Sequence, residues 1–431
     1  MRPGGSLLIV ADGLAESPGE TTTLSLARTP ALDRLSRQGD LFRLDPQGGA
    51  PKEAVTSERG VAALLGLGVA GAPPSRGGLL SLLADLPAFR ERAPRLSWFY
   101  VATPVRYSDG GPEGNGTLQS YVNDPEWESD LWGDLLERLP AVRDFDLLPV
   151  YERSSPPGAG QRVRILRMVA GFSSPLEPEA LPVSGLPPRT GRSKREALAP
   201  ANLMEWFSRE NLRFEEKKGG TEGRGEAGLW LWGGGTRPDL PLRSRPERSL
   251  VAQAPLVRAL GRLAGFSDRP LSRATGETDT DLGEKLAQVT SALALGARNV
   301  VLHVEGFDMA SHRKDPEGKR QFLERFDREV LEPLSGMLLS GDLGALGMTS
   351  DHRSSPRTGN HEAGTVPALW VNGPLLGKSE RAGARMTEEA AELTPIIPME
   401  HWNDRFFSDQ AASGGLRDKN LSERAICRES S

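Results

Sequence analysis

Five histidines occur in the chain, and four of them fall between residues 303 and 361. Asp308 and His312 stand four apart, Asp351 and His352 are adjacent, and His361 follows nine residues later. Asp12 closes the first strongly apolar run, Leu7 to Ala11. Taken singly, each of these residues reads as a turn, a cap or a satisfied polar group. Together, Asp12, Asp308, Asp351, His312, His352 and His361 supply enough oxygen and nitrogen ligands for two divalent ions. Such a donor set suits manganese, magnesium or zinc. The single cysteine, Cys427, excludes a thiolate cluster and an internal disulfide. His303, inside a strand, reads as an ordinary packing residue, and His401, in Glu400-His401-Trp402, as a surface or packing residue.

The elements that must carry these ligands form an alternating pattern. Leu7 to Ala11 is apolar at every position, as a parallel strand covered on both faces should be. Thr29 and Pro30 open a helix that stops at Gly39, and Ser57 opens another that runs to Leu67. Asp281 to Leu295 is a helix with Gly296 just past its end. Asn299 to Val304 is a strand, Lys319 to Leu334 an amphipathic helix, and Leu343 to Met348 and Val366 to Val371 are strands. Strands alternating with helices imply a mostly parallel sheet with helices on both faces. Ligands in such a sheet collect at the carboxyl ends of the strands, where the aspartates stand.

Between residues 84 and 188 the pattern changes. Trp98 to Val101 and Val163 to Val169 read as strands and Asp130 to Leu136 as a helix, separated by Pro- and Gly-rich stretches. This is an expected α+β insert. The catalytic domain is then split into 1–83 and 189–407, the strand Leu229 to Trp232 included, with a polar tail at 408–431.

Lysine and arginine number 53 against 58 acidic residues, a net charge of −5. No basic run points to nucleic acid or an anionic membrane. No apolar stretch approaches the roughly 18 residues of a membrane span. The N-terminal run is too short for a secretion signal. A cytoplasmic protein with no nucleic-acid or membrane partner is expected.

Six stretches, in order, resemble the cofactor-independent phosphoglycerate mutases of the archaeal type, within the alkaline phosphatase superfamily. They are Ile9 to Leu14, Thr29 to Leu35, Ser57-Glu58 before Leu64-Leu65-Gly66, Ala274 to Asp279 with Lys285 downstream, His303 to His312, and Asp351-His352 with His361 before Val366-Pro367. The resemblance implies an alkaline-phosphatase-like three-layer α/β/α sandwich with an inserted α+β domain. It implies one metal held by Asp308, His312 and His361, and a second held by Asp12, Asp351, His352 and the Ser57 hydroxyl. Ser57 would be the nucleophile and would pass through a phosphoserine. A serine hydroxyl is a weak nucleophile at neutral pH, and metal coordination favours its alkoxide. Lys285, and Arg76 in Ser75-Arg76-Gly77, would contact a small phosphorylated metabolite. The insert would close over that substrate and exclude water.

The implied reaction is interconversion of 2- and 3-phosphoglycerate, a glycolytic step. Four departures bear on it. Glu58 replaces an aspartate, Met309 replaces an acid, Trp98 to Ala102 lacks an Arg-Cys-Asn-like stretch, and Pro187-Pro188-Arg189-Thr190 replaces Pro-Pro-His-Asp. All lie toward the expected substrate side, while the ligand set is complete. A phosphatase or phosphotransferase acting on another monoester is therefore the alternative, and a non-catalytic homologue a third.

Overall fold

The computed structural model describes residues 4–19, 21–46, 55–67, 75–83, 97–107, 118–121, 145–152, 162–169, 226–239, 245–373 and 383–407. The expected helix at 130–136 and the tail at 408–431 lie outside these residues. The chain divides into two compact units, residues 1–71 with 242–431, and residues 72–241. Among the described residues no helix is long and apolar enough to cross a membrane.

The strands run in chain order as β1 (Ser6–Ala11), β2 (Asp40–Asp45), β3 (Ser97–Tyr107), β4 (Leu118–Tyr121), β5 (Phe145–Glu152), β6 (Arg162–Val169), β7 (Glu226–Thr236), β8 (Arg248–Val251), β9 (Ser267–Asp268), β10 (Asn299–Val304), β11 (Ala345–Thr349), β12 (Arg353–Ser354), β13 (His361–Glu362), β14 (Val366–Asn372) and β15 (Ile396–Pro398). The helices are α1 (Thr23–Leu26), α2 (Pro30–Gln38), α3 (Ser57–Leu64), α4 (Arg76–Leu80), α5 (Pro255–Leu263), α6 (Leu282–Ala294), α7 (Gly306–His312), α8 (Pro316–Phe326), α9 (Glu332–Ser340), α10 (Glu388–Glu392) and α11 (Met399–Phe407).

In the first unit one sheet has eight strands in the order β15-β2-β14-β11-β1-β10-β8-β9. β1 pairs in parallel with both β10 and β11, and only β14 runs against its neighbours. All six residues of β1 are buried, as its unbroken apolarity requires. Leu7, Ile9 and Ala11 face a core shared with Leu32, Val289 and Phe326, from the helical layer of α2, α6 and α8. The opposite face carries α3, α5 and α11, where Leu250 meets Gly261 and Gly347 meets Trp402. This is the expected three-layer α/β/α arrangement with a mostly parallel sheet.

Two local expectations change. The long helix expected from Lys319 to Leu334 is instead α8, a π-helical turn at Asp327–Leu331, and α9. That turn carries Asp327, whose carboxylate accepts the N–H groups of Ala31 (3.0 Å) and Leu32 (2.7 Å) at the start of α2. Thr29 stands at the N-cap position without a side-chain capping bond. A carboxylate from a distant helix thus serves the orphan donors that a local cap would otherwise take.

In the second unit β3 is central. It pairs antiparallel with β4, β6 and β7, and β6 pairs with β5. This unit is wider than the 84–188 insert expected from composition. The strand Leu229 to Trp232, placed in the catalytic domain on sequence alone, is β7 and joins β3 over nine registered pairs. Gly77 of α4 packs directly on the Phe99 carbonyl of β3, which brings α4 into the same unit.

Replacing Asp327 by alanine removes the acceptor for two N–H groups at the start of α2. We expect about 2 kcal/mol of destabilisation, read as a lower urea midpoint at unchanged slope. A change below about 0.5 kcal/mol, the scatter of neutral surface substitutions, would remove Asp327 from that role.

Candidate metal centre

The carboxyl ends of β1, β10 and β11 lie side by side in the sheet. Asp12 follows β1, α7 with Asp308 and His312 follows β10, and Asp351-His352 follows β11. Four separate stretches of chain, with His361 on β13, thereby meet at one edge.

Their side chains interlock. Asp308 Oδ2 lies 3.0 Å from His312 Nε2, and its Oδ1 lies 3.5 Å from His361 Nε2. Asp12 Oδ1 lies 3.2 Å from His352 Nε2. The ring centroids of His352 and His361 are 3.8 Å apart and those of His312 and His361 5.2 Å apart, both pairs stacked. Ser57 Oγ, in the first turn of α3, stands 3.1 Å from His352 Nε2.

All three imidazoles are anchored in the same way. Nδ1 meets a backbone carbonyl in each case: Gly359 for His312 (2.9 Å), Arg353 for His352 (3.2 Å) and Val55 for His361 (3.0 Å). A ring whose Nδ1–H donates to a carbonyl leaves Nε2 as the lone-pair nitrogen when neutral. Each Nε2 is turned toward the carboxylates. Because Val55 lies two residues before Ser57, the His361 bond also ties the start of α3 to the cluster.

Two groups offer donor atoms all within 4.8 Å of one another: Asp308 with His312 and His361, and Asp12 with Asp308 and His352. The first matches a ligand set expected from the resemblance. The second also includes Asp308, whereas Asp351 is in neither group, with its Oδ2 3.5 Å from His352 Nε2. Its Oδ1 accepts the N–H groups of Gly13 (3.2 Å) and His352 (3.1 Å). Asp12 Oδ1, Asp308 Oδ1, Asp351 Oδ2 and His361 Nε2 are buried without a well-formed hydrogen bond. Buried lone pairs in that state are costly unless something electropositive meets them. Oxygen and neutral nitrogen donors so arranged fit hard or borderline divalent cations.

The electrostatics reflect crowded carboxylates. Burial opposes ionisation of Asp12, but the His303 and His352 rings outweigh it and hold the carboxyl low. Asp308 is held well below the carboxylate range, burial again being overcome by His312 and His361. Asp351, buried beside the Asp12 charge, is pushed up. Burial opposes charge on His352 as well, yet Asp351 and Asp12 push it up to about 10.

The other candidates sit differently. Lys285, expected to contact phosphate, is 1% exposed, and its ammonium donates to the His303 carbonyl at 3.1 Å. Burial lowers it to about 8. Its place on the inward side of α6 makes it a support for β10, because the helix faces the sheet there. Arg76 belongs to the second unit, where burial lowers it to about 10 and the Trp232 ring faces its guanidinium at 5.0 Å. His401, left between surface and packing, is exposed.

Three residues of the site escaped sequence reasoning. His303, read as packing, is buried with Nε2 3.3 Å from Asp12 Oδ2. Its alternation along β10 was the available signal, since it points opposite to Leu302 and Val304. Gly13 adopts φ +63°, and a Cβ there would lie 2.6 Å from Asp308 Oδ1. A Cβ at Gly60 would overlap the Asp351 carbonyl. Glycine inside a helix is a mark of such close approach.

Comparison with known proteins agrees with this geometry. Residues 263–400, which include α7, β11 and β13, match the family model described as Metalloenzyme superfamily. That match takes in about a third of the chain. Most of the chain is also similar to proteins named 2,3-bisphosphoglycerate-independent phosphoglycerate mutase. The one from Thermococcus kodakarensis is 27% identical, covering 86% of this chain and 89% of its own. The one from Archaeoglobus fulgidus is 28% identical, covering 85% and 88%. Among solved structures, a Pyrococcus horikoshii protein has a TM-score of 0.70 at 20% identity, over 97% of this chain and 99% of that one. A cofactor-independent phosphoglycerate mutase from Thermoplasma acidophilum has a TM-score of 0.52 at 17% identity, over 94% and 98%. These two likenesses are of fold. Asp308, His312, Asp351, His352 and His361 all lie in the span matched by the family model.

The raised His352 sets the pH behaviour. Its ion pairs stabilise the metal-free fold fully below its ordinary value of 6.5, and that contribution is lost as pH rises toward about 10. A bound cation needs the neutral ring, so binding must expel the proton. Affinity for Mn²⁺ is therefore expected to climb from pH 6.5 to 9, with proton release seen by calorimetry in buffers of different ionisation enthalpy. A pH-independent affinity would contradict the assignment.

Proposed function

We propose that the chain is a metal-dependent isomerase of the phosphoglycerate mutase kind, working through a phosphoserine at Ser57. The observation that carries the reading is the anchored histidine set, with three Nε2 atoms turned to buried carboxylates beside a serine hydroxyl. The names of the relatives supply the substrate class. The same reading takes the reaction to be a glycolytic step in the cytoplasm.

In this reading Asp308, His312 and His361 hold one divalent ion, and Asp12, Asp351, His352 and Ser57 Oγ hold a second. Manganese is the first ion to test, with magnesium and zinc next. When bound, the ions neutralise charge on the transferring phosphoryl group and lower the serine hydroxyl pKa.

The chain's own part follows from its geometry. Ser57 occupies the first turn of α3, where N–H groups and the helix dipole favour an anionic phosphate. Ser57 Oγ attacks phosphorus as the bond to the substrate oxygen breaks. The proton that Ser57 gives up balances the one gained by the departing alcohol. The alcohol then presents its neighbouring hydroxyl, which takes the phosphoryl group back and releases the serine. Gly60 against Asp351 and His361 against Val55 keep the start of α3 in place for both steps.

Purified protein with Mn²⁺ and 3-phosphoglycerate is expected to form 2-phosphoglycerate without free phosphate. The two products should be followed separately. Free phosphate alone would replace the mutase by a phosphatase using the same serine. No turnover on a panel of monoesters, with no metal bound, would end both readings. Ser57→Ala should lower kcat on the order of 10³-fold or more while metal stays partly bound. Retained activity would remove Ser57 as nucleophile.

A further inference from the structure

A second buried polar cluster lies behind the histidines and takes no part in the chemistry above. Lys319, on α8, is 0% exposed. Its ammonium donates to the Ser354 carbonyl at 2.9 Å and pairs with Glu16 Oε1 at 3.2 Å. Glu16 Oε1 also accepts the Thr23 N–H at 3.1 Å. The Glu16 N–H in turn donates to Glu388 Oε1 at 3.0 Å, and Glu388 Oε2 accepts the Thr22 hydroxyl at 2.8 Å.

Ser354 is where the ligand-bearing segments converge. It lies two residues after His352, and its N–H donates to the Ala15 carbonyl at 2.8 Å, three residues after Asp12. Its carbonyl also receives the Ser311 hydroxyl of α7 at 3.3 Å, between Asp308 and His312. Ser350 adds a cross-tie, accepting from the Ala15 N–H and donating to the His352 carbonyl. The segments around Asp12, Asp308–His312 and Asp351–His352 thus meet at one residue, Ser354, with a buried ammonium on its carbonyl.

We infer that Lys319 is a positioning residue of the proposed metal centre, locking through Ser354 and Glu16 the three segments that carry its ligands. The inference rests on the metal reading above. A buried charge costs several kcal/mol of desolvation, and an apolar side chain of similar length would fill the space more cheaply. What the ammonium adds is a tie: its donors reach the Ser354 carbonyl and the Glu16 carboxylate, which lie on different segments. Glu16 neutralises it, so the cluster adds no net positive charge beside the cations. Groups behind a metal's own ligands that fix their orientation typically change its affinity 10- to 100-fold when lost.

The test is Mn²⁺ binding to the full chain, followed by electron paramagnetic resonance, alongside the Co²⁺ absorption spectrum. Lys319→Met is expected to weaken Mn²⁺ binding at least about tenfold and to alter the Co²⁺ spectrum. Because that variant leaves Glu16 unpaired, Lys319→Met combined with Glu16→Gln is measured beside it. The double variant removes the pair together, leaves no lone ion from it, and should show the same loss. Lys319→Arg, which keeps the charge and the donors, should recover part of the affinity. A purely structural lysine would lower the urea midpoint of the metal-free protein and leave the Mn²⁺ affinity of the folded protein within twofold of wild type. That result overturns the inference and leaves the metal reading intact. Wild-type protein that binds no Mn²⁺ overturns both.

Discussion

Three backbone carbonyls hold the site in register. Gly359, Arg353 and Val55 each meet the Nδ1 of one histidine, and each thereby turns an Nε2 toward Asp12 or Asp308. An imidazole without such an anchor would be free to rotate, and its tautomer would be undetermined. The Gly359 and Val55 carbonyls are distant in the chain from the rings they hold, so those two orientations depend on how the stretches pack, whereas Arg353 directly follows His352. The sheet brings the stretches together, because β1 lies between β10 and β11 with all three strands ending at one edge.

The packing that sustains this edge is unusually intolerant of extra atoms. Gly13 and Gly60 leave room for Asp308 and for the Asp351 carbonyl, so the ligand loops rest directly on backbone. Behind them, Ser311, Ser350 and Lys319 fill hydrogen-bonding positions that an apolar core could not satisfy. The first unit therefore has an apolar interior on each face of the sheet and a polar, closely bonded rim at its carboxyl end. Repulsion among Asp12, Asp308 and Asp351 is offset by the neighbouring imidazoles, which hold Asp12 and Asp308 low. The same charge density is what would draw divalent cations.

Legibility in the sequence followed the range of the forces involved. β1 could be read from an unbroken apolar run and β10 from one interrupted only by His303, because burial on both faces favours apolar residues at nearly every position. Asp12, Asp308 and Asp351 could be read because each stands just past such a run. Glu284 at the start of α6 was silent, although its carboxylate accepts the N–H groups of Ser272, Arg273 and Ala274 and shapes the loop before it. Asp327 was equally silent, since its partners on α2 are nearly three hundred residues earlier. Leu229 to Trp232 reads as a strand in any context, but its membership in the β3 sheet depends on pairing across the chain.

Residue types and local spacing by themselves determined the α/β class, the positions of most strands in the first unit, and the nitrogen-and-oxygen ligand set. These are consequences of periodicity and chemical identity, which act over a few residues. Tertiary structure alone decided that Lys285 faces the sheet, that His303 reaches Asp12, that Asp308 belongs to both donor groups, and that Lys319 meets the ligand segments at Ser354. Each of those outcomes is a contact between residues distant in the chain. A side chain's neighbours there are set by strand order and helix rotation, which no local pattern encodes.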